Sequence, residues 1–163
     1  MSRPPFLVPT GDLFRHPGAR QRLTLAGPLP ALELSTTRLT GDDIVADVVV
    51  EAQGDTVMLT GTVTAAWEGE CRRCLEPTAG VVAVDLREVF EPEPVEGETW
   101  PLGRDDLDLE PVLREALALA LPLAPVCRED CPGPDPDAHP LRDDDAAPPS
   151  DPRWAGLDAL RFE

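Results

Sequence analysis

The chain contains no lysine and no tyrosine, only two histidines, and aromatic side chains make up 4% of its 163 residues. Each shortage removes a class of function. Without Tyr and with so few aromatic rings, there is no platform on which the bases of single-stranded nucleic acid could stack. All 14 basic groups are arginine, against 31 acids, and the formal charge is −17. Such a surface repels phosphate backbones, whose affinity for proteins comes mainly from Lys and Arg contacts. Direct nucleic-acid binding is therefore expected to be weak at most. His16 and His139 each precede a proline in a proline-rich stretch, which suits a solvated loop residue far better than a general base. There is no phosphate-cradling glycine loop and no nucleophile elbow, and the carboxylates crowd into proline-broken segments instead of pairing on a rigid frame. No enzyme activity and no small-molecule substrate are expected. No apolar run approaches the roughly 20 residues of a membrane span, and the opening MSRPPFLVPTGDL lacks the apolar core of a secretory signal. The expected compartment is the cytoplasm, where clustered cysteines more often hold metal than form disulfides.

What is present is charge, unevenly spread. Residues 1–30 hold Arg3, Arg15, Arg20 and Arg22 against Asp12 alone, whereas residues 85–115 carry eleven acids and three Arg. Residues 129–163 carry ten acids and three Arg. A complementary acidic field speeds and orients encounter with a basic protein, so a basic protein partner is expected. Arg15, Arg20 and Arg22, in the one basic stretch, are the candidates for touching phosphate on such a partner's RNA.

Hydrophobic periodicity outlines one domain. Pro4, Pro5, Pro9, Pro17, Pro28 and Pro30 suggest that residues 1–30 form an extended basic arm, with Phe6-Leu7-Val8 able to add a short edge strand. Residues 31–36 alternate and read as a strand, as do 44–52, with Ile44, Ala46, Val48 and Val50 on one face. From Val57 to Trp67 the odd positions are largely apolar and Thr60, Thr62 and Thr64 fall on the even ones, the period of a half-buried strand. Val82, Val84, Leu86 and Phe90 repeat the pattern. After an acidic, proline-rich loop, Leu109, Val112, Leu113, Ala116, Leu117, Ala120 and Leu121 form a helical stripe, with Asp108 as the expected N-cap and Pro122 as the stop. The fold class expected is α+β: a twisted antiparallel sheet of about four to six strands, with room for partial closure, and one main helix packed on it. Residues 31–131 form this core domain. Residues 132–163 read as a disordered acidic, proline-rich tail with a short helical turn at 151–160, since seven prolines among residues 132–152 leave too little apolar surface to offset the entropy of ordering.

The four cysteines fall in two pairs, Cys71-x-x-Cys74 between two strands and Cys127-x-x-x-Cys131 after the helix. Two spaced pairs are the way structural zinc is gripped by short knuckles. Four thiolates around one zinc carry a net negative charge, which Arg72, Arg73 and Arg128 could offset. Reduced thiols without a metal, and a redox dithiol at Cys71 and Cys74, remain open alternatives. Against the redox reading, the C-x-x-C is followed by Pro77, Gly80 and another strand, not by a helix.

The run Gly69-Glu70-Cys71-Arg72-Arg73-Cys74-Leu75-Glu76-Pro77 resembles the C-x-R-C-L-E-P signature of the YceD family, the large ribosomal RNA subunit accumulation proteins. Asp108-Leu109 with Arg114 to Pro122 is similar to the family's helix ending in L-x-L-P. Val126 to Gly133 resembles its second cysteine segment, and Gly11-Asp12-Leu13 with His16-Pro17-Gly18 its N-terminal arm. The resemblance implies a non-enzymatic accessory role in large-subunit ribosome biogenesis. The partner expected is a basic ribosomal protein or RNA-processing factor, alone or on a pre-large-subunit particle. The chain departs from the family where Pro134-Asp135-Pro136-Asp137 replaces a glycine-rich stretch with further cysteines, leaving four possible metal ligands.

Overall fold

The computed structural model describes residues 4–16, 18–29, 32–40, 44–135, 137–138 and 153. The tail expected over residues 132–163, with its helical turn, lies mostly outside the described residues.

Among the described residues, eight strands and one helix are formed: β1 (Leu7–Pro9), β2 (Arg20–Gly27), β3 (Thr37–Leu39), β4 (Ile44–Gln53), β5 (Thr56–Glu70), β6 (Pro77–Glu91), β7 (Trp100–Pro101), β8 (Asp106–Asp108) and α1 (Glu110–Ala120). The main sheet has the order β2-β4-β5-β6-β7, with β3 pairing β5 beyond the end of β4. All its pairings are antiparallel except the two-residue parallel contact of β7 with β6. The sheet is open, so the partial closure allowed by the sequence is not realised. A separate ribbon, β1 with β8, and α1 bury the inner face, so the core needs no closure.

Alternation places the core as expected. Ile44, Ala46, Val48 and Val50 of β4 and Val57, Leu59, Val63 and Ala65 of β5 are buried against Leu109, Val112, Leu113 and Leu117. Burying a side chain of this kind stabilises the fold by about 1.5–3 kcal/mol. On β6 only Leu86 and Phe90 are fully buried, while Val82 and Val84 remain half-exposed.

Three local expectations are corrected. Arg20–Gly27, assigned by sequence to a proline-broken arm, is a regular strand in register with β4, Leu23 opposite Val48 and Leu25 opposite Ala46. Its prolines flank the strand without interrupting it, and Leu23 and Leu25 add to the core face. The strand expected at 31–36 lies later, at Thr37–Leu39, because Ser35 and Thr36 make a turn closed by the Leu34 N–H on the Thr37 carbonyl (2.8 Å). Asp108 is not the N-cap residue. Leu109 occupies that place, its N–H bonded to the Phe6 carbonyl at 3.0 Å, while the Asp108 carboxylate accepts from the Glu110 N–H at 3.0 Å. The helix start is thereby locked to β1 and β8.

Two glycines meet backbone demands. Gly54 has φ 68° at the first position of the two-residue turn between β4 and β5, as a primed hairpin turn requires. Gly61 has φ 152°, and a Cβ there would lie 2.2 Å from the Asp47 carbonyl oxygen and 2.6 Å from Val48 Cα. Both contacts are backbone, so β4 itself would have to shift. Gly61→Ala is expected to lower stability in urea denaturation by about 3 kcal/mol or more, combining backbone strain with overpacking. A loss below about 1 kcal/mol would show that β4 gives way easily.

Candidate metal centre

β5 ends at Glu70 and β6 begins at Pro77, and the turn between them is tight. The Leu75 N–H bonds to the Cys71 carbonyl and the Cys71 N–H to the Glu76 carbonyl, each at 2.9 Å. Leu75 takes a positive φ of 62°, a strained value for a branched side chain. Inside this loop the Arg73 N–H points at Cys71 Sγ, 3.5 Å away.

The second cysteine pair reaches the first because the segment after α1 is tied down. The Thr37 hydroxyl donates to the Pro122 carbonyl at 3.1 Å and the Thr36 hydroxyl to the Leu123 carbonyl at 3.0 Å. The Arg72 N–H donates to the Pro125 carbonyl at 2.8 Å. Neither threonine nor Pro125 stood out in the sequence, since backbone carbonyls carry no residue signature.

All four Sγ atoms then lie within 4.8 Å of one another. Cys71 Sγ is 3.8 Å from Cys131 Sγ, and Cys74 Sγ is 3.7 Å from Cys127 Sγ. A disulfide needs about 2.05 Å, and all four thiols are free. In a tetrahedral zinc site with Zn–S bonds of about 2.3 Å, the sulfur–sulfur edges measure about 3.8 Å. The donor set and spacing thus fit a tetrahedral thiophilic ion. Cys71 and Cys131 are buried, Cys74 is half-buried and Cys127 is exposed, so the cluster opens to solvent on the Cys127 side.

Electrostatics separate Cys71 from Cys74 and Cys127. Backbone N–H groups of Cys74 and Cys127, with a further contribution from Arg73, bring the Cys71 thiol down to about 6 against the opposing effect of burial. The Cys131 thiol, burial and the other two sulfurs push Cys127 up to about 12. For Cys74, the Glu76 backbone N–H pulls downward, but burial and the sulfurs of Cys71 and Cys131 prevail and raise it. Four adjacent thiolates cannot coexist without a cation to offset them. Of the three nearby arginines, Arg73 is the one built in: its Nη1 donates to the carbonyls of Glu129 (2.9 Å) and Cys131 (3.1 Å). Arg128 pairs with Asp130 at 3.2 Å, both largely exposed.

The three candidate RNA-contacting arginines lie elsewhere. Arg15 pairs with Asp12 at 2.6 Å in the turn after β1. Arg20 forks onto Glu51 of β4. Arg22 projects from the same outer face of β2, opposite Val49. Arg20 and Arg22 therefore sit near the β4–β5 turn, at the opposite end of β5 from the cysteines.

The fold and the cluster together define an α+β domain, an open antiparallel sheet with one packed helix, whose longest hairpin and post-helix segment converge on four thiols. Residues 59–161 match the family described as Large ribosomal RNA subunit accumulation protein YceD, and the chain belongs to that family. An uncharacterized protein of Mycobacterium tuberculosis is 39% identical over 170 residues, covering 94% of this chain and 80% of its own length. One from Mycobacterium leprae is 36% identical over 139 residues, covering 79% of this chain and 64% of its own. No solved structure matches the chain. Among the described residues, no helix is long and apolar enough to cross a membrane.

The pKa pattern sets the sign of a measurable effect. Near neutral pH, Cys71 is mostly ionised, while Cys74 and Cys127 hold their protons because both are raised above the ordinary value of 9.0. Zinc binding requires thiolates, so adding zinc to the reduced metal-free protein at pH 7.5 should release at least two protons per chain. Affinity should rise with pH, about tenfold per unit for each proton released. Indicator-dye titration measures the release, and none at all would exclude coordination by Cys74 and Cys127.

Proposed function

We propose that this chain is a non-enzymatic accessory factor in the accumulation of large-subunit ribosomal RNA, held together by one structural zinc and acting by binding a basic protein partner. The observation that carries this reading is membership of the YceD family over a span that includes both cysteine pairs and the helix between the β-hairpin and the second pair. Zinc would be held by Cys71, Cys74, Cys127 and Cys131. Its contribution is to tie the β5–β6 turn to the segment after α1.

The formal charge of −17 and the acidic segment after β6 support a basic ribosomal protein or RNA-processing factor as the partner. Arg15, Arg20 and Arg22 remain the candidates for phosphate contact on a pre-large-subunit particle. The ion pairs of Arg15 and Arg20 leave most of each arginine side chain exposed, and such exposed pairs are worth little and can exchange carboxylate for phosphate.

Co-sedimentation tests the reading. The protein is expected to travel with pre-large-subunit particles at low salt and to fall off as salt rises; absence from those fractions at low salt would sink the proposal. Arg20→Ala with Arg22→Ala should reduce the steepness of the salt dependence, by about one in slope for each phosphate that is no longer neutralised.

The depressed Cys71 thiol favours one rival, a redox dithiol at Cys71 and Cys74. Cys74→Ser separates the two. As a zinc staple it should cost metal and lower Tm, because metal-binding energy is folding energy. As a redox protein it should keep Tm and lose only thiol–disulfide turnover.

A further inference from the structure

The two edges of the main sheet are finished differently. On β2 the edge begins with the exposed Arg20 and Arg22 and ends at Gly27-Pro28, the charged and proline-bounded form that discourages pairing. On β6 the pairing with β5 runs without a bulge from Pro77 to Phe90, so alternate residues turn their backbone groups away from β5 throughout. Glu91 faces outward, since its carbonyl accepts from the Leu102 N–H at 2.9 Å. By parity the same holds for Ala79, Val81, Ala83, Asp85 and Arg87. Of the described strands, only β7 pairs this side, at Phe90 and Glu91. Among the described residues, the outward groups from Ala79 to Arg87 have no backbone partner.

This open stretch is about 30 Å long at roughly 3.3 Å per residue. Its first six residues, Ala79-Gly80-Val81-Val82-Ala83-Val84, carry neither charge nor proline. Val81 is 67% exposed, and Val82 and Val84 are half-exposed. An uncharged, unpaired edge of this kind recruits another strand.

The surroundings say which strand. At the far end of β6, a cavity of about 520 Å³ is lined by Glu88, Glu96, Glu98 and Glu115 with Trp100. At the near end, a cavity of the same volume is lined by Thr78 and Ala79 with Glu33, Glu68 and Glu70, Arg38 being tied to Glu68. A second copy of the chain would bring −17 against −17, and phosphate would meet the same carboxylates. An extended segment with arginine or lysine flanking apolar residues satisfies the edge and both ends.

The geometry points to β6 as a strand-addition site, where a basic extended segment of a protein partner pairs with Ala79–Arg87 and places cationic side chains in the two glutamate-lined cavities. This rests on the reading of a basic partner given above and supplies its mode of binding.

The probe is an acetylated, amidated nonapeptide of five valines with two arginines at each end, so that one arginine at either end faces each side of the sheet, titrated against the full chain by calorimetry. Ala83→Pro removes one outward N–H that bonds to nothing within the sheet, and proline is tolerated on edge strands. It should weaken binding about tenfold or more, as for one or two missing hydrogen bonds with a steric block, while circular dichroism stays unchanged. Thr24→Pro, the matching change on the β2 edge, should leave affinity intact. With the unaltered protein, a probe N-methylated at alternate amides should fail to bind, which keeps the test valid if Ala83→Pro does not fold. Equal binding of the N-methylated peptide, or of a valine–glutamate peptide, would overturn the proposal. So would sedimentation showing a dimer that Ala83→Pro dissolves, which would assign the edge to a second copy. If Ala83→Pro still travels with pre-large-subunit particles as the unaltered chain does, the edge proposal fails and the functional reading stands. If neither travels, the functional reading fails while the peptide result still judges the edge.

Discussion

Fourteen consecutive residue pairs join β5 to β6, from Val57 with Phe90 to Glu70 with Pro77, and this long antiparallel pairing positions nearly everything else. At its Phe90 end lies the apolar core, with α1 packed across the inner face. At its Pro77 end the turn presents Cys71 and Cys74. A pairing of this length acts as a strut: the thiols are held well away from the core, yet their orientation follows from a register that the core sets. The helix closes the frame, since its N-terminus is locked to β1 and β8 while the segment beyond Pro122 is tied to β3 and Arg72.

The thiol cluster solves a problem that this architecture creates. The segment after α1 is short of apolar anchors: Leu123, Ala124 and Val126 are exposed, and Pro125 is buried. A few hydrogen bonds to carbonyls contribute about 1 kcal/mol each at best, which is little against the entropy of ordering such a stretch. A metal held there would join residues 60 apart in sequence, as Cys71 and Cys131 are, and so offset a large loop-closure cost in one step. Arg73 supports the same junction by reaching two carbonyls on the Cys127–Cys131 segment.

Charge is sorted by place. The arginines of β2 occupy the outer face near the β4–β5 turn, where Arg20 is matched by Glu51. The carboxylates concentrate after β6, where the loop folds on itself: the Thr99 hydroxyl donates to Glu91 at 2.5 Å and the Trp100 indole N–H to Glu88 at 2.9 Å. That acidic loop is therefore held at the Phe90 end of β6, beyond Asp85 and Arg87 from the uncharged stretch Ala79–Val84.

The inner face of β4 and β5, the helical stripe and the two cysteine pairs were all legible along the chain. Each is a periodic or short-range pattern, and burial acts on such patterns directly: the alternate residues from Val57 to Ala65 had to share a side, and the stripe from Leu109 to Leu121 had to meet it. Family resemblance was legible for the same reason, since its motifs are runs of adjacent residues. That Arg20–Gly27 is a sheet strand emerges only in three dimensions, because its prolines lie outside it and its pairing with β4 is made across residues distant in sequence. Strand order, the singling out of Arg73, and the open edge of β6 depended equally on backbone hydrogen bonds. Those bonds use groups that nearly every residue carries, so no side chain announces them.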